Sequence, residues 1–196
     1  MLEEEYQPRR SLPAHLRKRP EPEPTFRFTV REATERDLPH IREIYNHYVA
    51  NSTVTFDETP WSLPVVRAKF ARVADLGYPF LVAESAGGDI LGFAYVYPWK
   101  EKAAYRFTVE NSIYLGPAST GKGLGTALMD ELLQRSRAAG VKEIIAVIAD
   151  RGAEGSVALH ERFGFTTTGS MGRVGFKFGR WLGVIMMQKS LKKRRT

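Results

Sequence analysis

Two stretches of the chain carry residues whose types and spacing could do chemistry. The first is Gly116-Pro-Ala-Ser-Thr-Gly-Lys-Gly-Leu-Gly-Thr126, which follows a strand-like run and opens a helical one. Glycines there let the backbone approach a ligand closely, and the free amides of a helix N-terminus point at negative charge, so a phosphate-bearing ligand is the physical expectation. A plain helix-entry turn would use the same glycines. The second stretch is Arg106-Phe-Thr-Val-Glu-Asn-Ser-Ile-Tyr-Leu115. Taken as extended backbone, it sets Phe107, Val109, Ile113 and Leu115 on one face and Arg106, Thr108, Glu110, Ser112 and Tyr114 on the other. A polar strand face is costly to bury unless its groups are paired or line a wet pocket, and this pattern suggests a pocket. Glu110 in such a pocket is a general-base candidate, with an ion pair to Arg106 on the same face as the structural alternative. Arg106 could instead grip a substrate carboxylate, since its planar fork suits bidentate pairing.

Other chemistries are set aside on composition. A P-loop, GxxxxGK followed by Ser or Thr, fits Gly116 through Lys122 but fails at Gly123, where the hydroxyl that would hold magnesium is missing. The chain has no cysteine, which excludes disulfides, thiolate metal sites and a cysteine nucleophile. No metal is expected, because no cluster of His, Asp and Glu has ligand spacing. The net charge of +7 owes much to the tail Lys192-Lys193-Arg194-Arg195, so a nucleic-acid partner is not expected. The basic body suits an anionic ligand instead. No apolar run approaches the roughly 18 residues of a membrane span, and the N-terminus lacks a signal-peptide core, so the cytoplasm is the expected location.

The elements that must position these residues read as one domain. Residues 1–24, interrupted by Pro8, Pro13, Pro20, Pro22 and Pro24, are expected to be a disordered extension. The folded domain is expected over 25–191, followed by the basic tail 192–196. A strand over Phe26–Arg31 leads to a helix capped by Asp37, carrying Leu38, Ile41, Tyr45 and Tyr48 on one face. A second helix, Leu63–Leu76, stops at Gly77. Strands Pro79–Glu84 and Ile90–Tyr97 form a hairpin around Ala86-Gly87-Gly88-Asp89. A strand over Tyr105–Leu115 and a helix over Gly123–Ala139 follow, with Gly140 as its stop. A strand Glu143–Ala149, a helix Glu154–Phe163 and two strands, Thr166–Gly172 and Trp181–Lys189, complete the chain. The order β-α-α-β-β-β-α-β-α-β-β predicts an α+β fold with a mixed sheet and helices on both faces.

With the glycine turn and its flanks in view, the chain resembles the GNAT acetyltransferases. Thr120-Gly121-Lys122-Gly123-Leu124-Gly125 is similar to their pyrophosphate loop. Ile44-Tyr-Asn-His-Tyr48, Thr53-Val-Thr-Phe56, Tyr105 through Glu110, Ser156-Val-Ala-Leu-His-Glu161 and Phe163-Gly-Phe165 resemble the phosphinothricin and methionine sulfoximine acetyltransferases within that family. So do Gly175-Phe-Lys177, Gly179 and Trp181. The resemblance implies the acyl-CoA N-acyltransferase fold, a mostly antiparallel sheet of about seven strands, acetyl-CoA as donor and a small amino-acid-like amine bearing a carboxylate as acceptor. It also implies a homodimer.

By the same resemblance, Ile113, Tyr114 and Leu115 on the strand, Thr120, Gly121, Lys122, Gly123, Leu124, Gly125 and Thr126 in the turn, and Ser156 bind the cofactor. Lys122 would supply the charge lost where Thr120 replaces the usual Arg or Gln. The Leu115 amide is the candidate oxyanion donor. Glu110 would deprotonate the amine, and His160 would protonate the leaving thiolate, with a hydrogen-bonded helix histidine as the alternative. On the acceptor side stand Arg106, Phe56 as a pocket wall or a core ring, and Lys177 as a second cation or a solvated surface lysine. Ala153 replaces a common Asn, and Gly183 a common Asp. Acetylation of another amine, such as a protein N-terminus, and a non-catalytic CoA-binding module are the alternatives.

Overall fold

The computed structural model describes residues 26–191. The expected extension over 1–24 and the tail 192–196 lie outside them. Strands β1 (Phe28–Glu32), β2 (Phe80–Ser85), β3 (Ile90–Pro98), β4 (Thr108–Leu115), β5 (Glu143–Ala149), β6 (Thr166–Lys177) and β7 (Arg180–Ser190) form a seven-stranded sheet in the order β1-β2-β3-β4-β5-β7-β6. Every neighbouring pair is antiparallel except β4 and β5. Helices α1 (Leu38–Asn51), α2 (Leu63–Asp75), α3 (Leu124–Ala138) and α4 (Glu154–Arg162) connect them. The expected order, mixed sheet and fold class are all found.

The central strands are apolar on both sides because both faces are covered. Phe80, Val82, Phe93 and Tyr95 pack under α1 and α2 against Leu38, Ile41, Val66 and Val73. The alternate residues Leu81, Ala83, Ala94 and Val96 pack with Leu124, Leu128 and Leu132 of α3. The left-handed Gly140, at φ 86°, ends α3 as its sequence predicts.

Three local expectations are corrected. Asp37 stands at the N-cap of α1, but its side chain makes no capping hydrogen bond to that helix. Its carboxylate accepts from the Thr34 backbone and hydroxyl and pairs with Arg31 at 2.7 Å, closing a 3-10 turn before the helix. The last two strands run longer than expected, since Lys177 pairs with Arg180 around Phe178 and Gly179. Both turn residues have positive φ, 50° and 72°, the handedness that a two-residue hairpin demands. The register shifts between Met171 and Gly175, a bulge that the expected end of the strand at Gly172 did not foresee. Finally, β4 starts at Thr108. Ala103–Tyr105 is a 3-10 turn, Arg106 is helical at φ −54°, ψ −17°, and the period-two count therefore does not reach it.

Candidate active site

The site originates in a failure of pairing. β4 and β5 are joined only at Thr108↔Glu143, Val109↔Ile144 and Glu110↔Ile145, although the strands run on to Leu115 and Ala149. On their outer sides both keep full registers, β4 with β3 as far as Leu115 and β5 with β7 as far as Ala149. The two strands thus splay apart beyond Glu110, and a cavity of about 620 Å³ opens between them, within the usual range for ligand sites. Backbone amides alternate in direction along a strand. The Gly116 amide donates to Leu91 of β3 at 2.8 Å, so the Leu115 amide faces the splay. The Leu115 carbonyl, on the same side, accepts from Tyr48 Oη at 2.7 Å.

One end of the cavity is the N-terminus of α3. Gly121 and Gly123 take left-handed φ values of 75° and 83°, which turn the chain into the helix without a side-chain cap. The first-turn amides of a helix lack intrahelical acceptors, and no acidic residue stands in this turn to neutralise them. Thr120, Gly121, Gly123, Leu124, Gly125 and Thr126 all line the cavity, as do Ile113, Tyr114, Leu115 and Ser156. A Cβ on Gly125 would stand 3.4 Å from Leu159, so this position also sets how closely α3 meets α4.

Lys122 and Arg162 differ in how they stand to the cavity. Lys122 does not line the cavity; its ammonium donates to the Ala118 carbonyl at 2.9 Å and lies 4.5 Å from the Phe26 ring. The cation at the cavity wall is Arg162, at the end of α4, which donates to Thr126 Oγ1 at 3.3 Å. Periodicity gave no reason to single it out.

Glu110 stands where the splay begins. Burial pushes its carboxyl above the usual carboxylate range, while Lys100 and Lys69 hold it back. A base raised in this way is better matched to taking a proton near neutrality. Arg106 does not pair with it: the guanidinium is exposed, stacks on Phe107 at 4.6 Å and donates to Ala103 O. The expected ion pair is thus not made, and Arg106 does not stand on the strand face from which it was expected to grip a carboxylate.

His160 is buried and held at both nitrogens. Nδ1 lies 2.7 Å from the Ser156 carbonyl and must donate to it. Nε2, 2.9 Å from Asn111 Nδ2, then accepts from the amide. Burial lowers the histidine pKa from its ordinary value against the opposing Ser156 hydrogen bond, and so favours the neutral ring. His160 lines the cavity, and these bonds are those of the alternative expected for it, a hydrogen-bonded helix histidine. Asn111 lines the cavity and its Oδ1 has no partner among the described residues. It lies on the face that the sequence reading took as apolar, which is why it was passed over.

On the acceptor side, Phe56 takes the second of its two expected places, a ring packed against the core, and Lys177 takes neither of its own. Phe56 lines no part of the cavity and packs on the backbone of Gly175, where an added Cβ would come within 2.5 Å of its ring. Lys177 is buried, neither a surface lysine nor a cavity cation. Its ammonium donates to the carbonyls of Ser52 and Thr55, both at 2.8 Å, and so fastens the α1–α2 loop to β6. Lys177→Met should lower the unfolding free energy by about 1–3 kcal/mol, the cost of leaving buried carbonyls unpaired. Urea denaturation reads this, and an unchanged midpoint would contradict the strut.

Of the departures, Gly183 has a physical explanation. A Cβ there would meet Asp150 Oδ2 at 2.6 Å and the Met171 carbonyl at 2.7 Å, while the Gly183 amide donates to Asp150 Oδ1. Ala153 is a buried cap of α4 with no side-chain hydrogen bond. Among the described residues no group of three His, Asp or Glu is placed to hold a metal ion, and no helix is long and apolar enough to cross a membrane.

A mixed sheet with one splayed parallel pair, and a glycine-capped helix closing the splay, define an acyl-CoA-binding class. The comparisons agree. The model of the acetyltransferase (GNAT) family matches residues 41–165. A phosphinothricin N-acetyltransferase of Alcaligenes faecalis is 41% identical over 163 residues, covering 83% of this chain and 82% of that protein. An L-methionine sulfoximine/L-methionine sulfone acetyltransferase of Pseudomonas aeruginosa is 42% identical over 168 residues, 86% of this chain and 97% of its own. The crystal structure of a GNAT phosphinothricin acetyltransferase from Sinorhizobium meliloti in complex with acetyl-CoA superposes with a TM-score of 0.79 at 43% identity, covering 83% of this chain and 88% of that one. The chain belongs to the GNAT acetyltransferase family.

Proposed function

We propose that this acetyltransferase moves the acetyl group of acetyl-CoA to the primary amine of a small amino acid of the methionine sulfoximine, methionine sulfone or phosphinothricin type. The observation that carries the reading is the splay itself, with free helix amides at one end and a raised carboxylate at the other. The diphosphate of the donor suits the amides of residues 121–126, with Arg162 beside them. Glu110 takes the ammonium proton, directly or through water. The free amine then attacks the thioester carbonyl; the C–N bond forms, the C–S bond breaks, and the second proton shed by the amine nitrogen passes, directly or through water, to the departing thiolate, which leaves as the free thiol. The Leu115 amide, turned into the splay, is the donor available to the carbonyl oxygen as negative charge develops there. Neutral His160 keeps Asn111 in place through these steps.

A homodimer and a cytoplasmic location belong to the same proposal. Val174, Phe176, Phe178 and Trp181 are about half exposed at the β6–β7 end of the sheet, more apolar surface than a free edge usually leaves open. Sedimentation at the mass of a single chain would remove the dimer, and cell fractionation reads the location. The function is tested by thiol release from acetyl-CoA against an amine panel containing the three amino acids, a polyamine and peptides with free N-termini. Turnover should be confined to the amino acids. Preference for the peptides would overturn the acceptor class, and tight coenzyme binding without turnover would point to a binding module.

A further inference from the structure

Beyond Glu110, on the α1–α2 side of the sheet, one cation lacks the partner its surroundings call for. Tyr97 lies opposite Glu110 and Tyr95 opposite Ser112 in the β3–β4 register, so these four side chains share a face. α2 crosses that face. It buries Val66 and Val73 completely and sets Phe70 against Phe80 at 5.5 Å between ring centroids. Lys69, one residue before Phe70, is carried inward with them. Its ammonium sits 4.5 Å from the Tyr97 ring, 5.3 Å from Trp61 and 5.5 Å from Tyr95.

Aromatic faces offset part of an ammonium charge but leave its three N–H donors without acceptors. Among the described residues Lys69 has neither a hydrogen bond nor an ion pair. Asp57 is the nearby carboxylate, and its Oδ2 is taken up by Tyr45 Oη at 2.7 Å and Trp61 Nε1 at 3.0 Å. Tyr45 stacks on Trp61 at 3.6 Å, so the aromatic wall is held from behind. Lys69 and Glu110 feel each other's charge, as groups on the one sheet face do. Of the other cations nearby, Arg106 is turned out to solvent, and Lys100, which also acts on Glu110, is exposed over the Trp99 ring at 4.6 Å, outside the aromatic wall that surrounds Lys69.

Resting on the acceptor class proposed above, we infer that Lys69 is the specificity-determining cation of the acceptor subsite. It pairs with the substrate carboxylate while Glu110 receives the proton of the neighbouring amine. The rings of Trp61, Tyr95 and Tyr97 fix the ammonium in place and exclude water around the pair, which strengthens it. An acceptor with the amine but not the acid loses this contact and leaves the cation unpaired.

The test compares L-methionine sulfone with its methyl ester as acceptors for the wild-type enzyme, Lys69→Met and Lys69→Arg. The wild type should prefer the acid. Lys69→Met should raise KM for the acid by about 10-fold or more and leave that for the ester nearly unchanged, collapsing the preference, and Lys69→Arg should restore most of it. Equal losses on acid and ester, or an unchanged preference, would overturn the role of Lys69 alone. No wild-type turnover with either compound would overturn the acceptor class, and this inference with it.

Discussion

Glu110→Gln should lower kcat by about 10²–10⁴-fold at neutral pH, the range for loss of a positioned general base. The substitution keeps size and hydrogen-bonding capacity while removing the charge, so acetyl-CoA affinity, measured by calorimetry, should not change. The pH profile separates this from a packing defect. Burial raises the Glu110 carboxyl above its ordinary range, with Lys100 and Lys69 opposing. The base works only when ionised, so wild-type kcat/KM should rise with pH through the raised value and then flatten. The rising limb should therefore lie above the pH at which an exposed glutamate titrates. In Glu110→Gln that limb should vanish, and the remaining rate should climb toward the pKa of the acceptor amine as free amine accumulates. A Gln variant with the wild-type rate at pH 7 would take Glu110 out of the mechanism.

Gly123→Val should raise KM for acetyl-CoA by about 10-fold, equivalent to about 1.4 kcal/mol. Gly123 has φ 83° and ψ −6° at the N-cap of α3, and its Cβ position meets nothing within 4 Å. Space is therefore not the obstacle; backbone conformation is. The left-handed region costs an ordinary L-residue about 1–2 kcal/mol, and a β-branched one is the worst placed to adopt it. Relief of that strain swings the turn and disperses the amides that converge on the cavity. Asn tolerates left-handed backbone, so Gly123→Asn should lose several-fold less. Steady-state kinetics at varied acetyl-CoA decides the matter, and equal small effects from Val and Asn would show that the left-handed turn is not what binds the donor.

The corrections share a cause. Period-two alternation over Arg106–Leu115 is real from Thr108 onward, but alternation carries no mark of where a strand begins. The 3-10 turn at Ala103–Tyr105 therefore removed Arg106 from the face it was counted on. Lys122 lies away from the cavity because a lysine inside the turn can bond back to Ala118, whereas α4 brings Arg162 to the cavity wall from another part of the chain. Lys177 read as surface because isolated lysines usually are; only the approach of the Ser52–Thr55 carbonyls makes its burial tolerable. Lys69 drew no notice in a helix whose apolar spacing was all that mattered to the reading.

Local chemistry was legible from residue order alone. Apolar periods placed the elements in sequence, and the glycines at 121, 123 and 125 marked a turn that demands left-handed backbone and close approach. Glu110 stood out as an acid on a strand with a polar face. Each depends on residues adjacent in the chain, where sterics and periodicity act directly. Only the tertiary structure decided that β4 and β5 part after Glu110, that both ring nitrogens of His160 have partners, and that Arg106 lies away from the base. Those outcomes depend on charges and acceptors brought together from distant segments, and a group's protonation and partners are set by that surrounding field rather than by its neighbours in sequence.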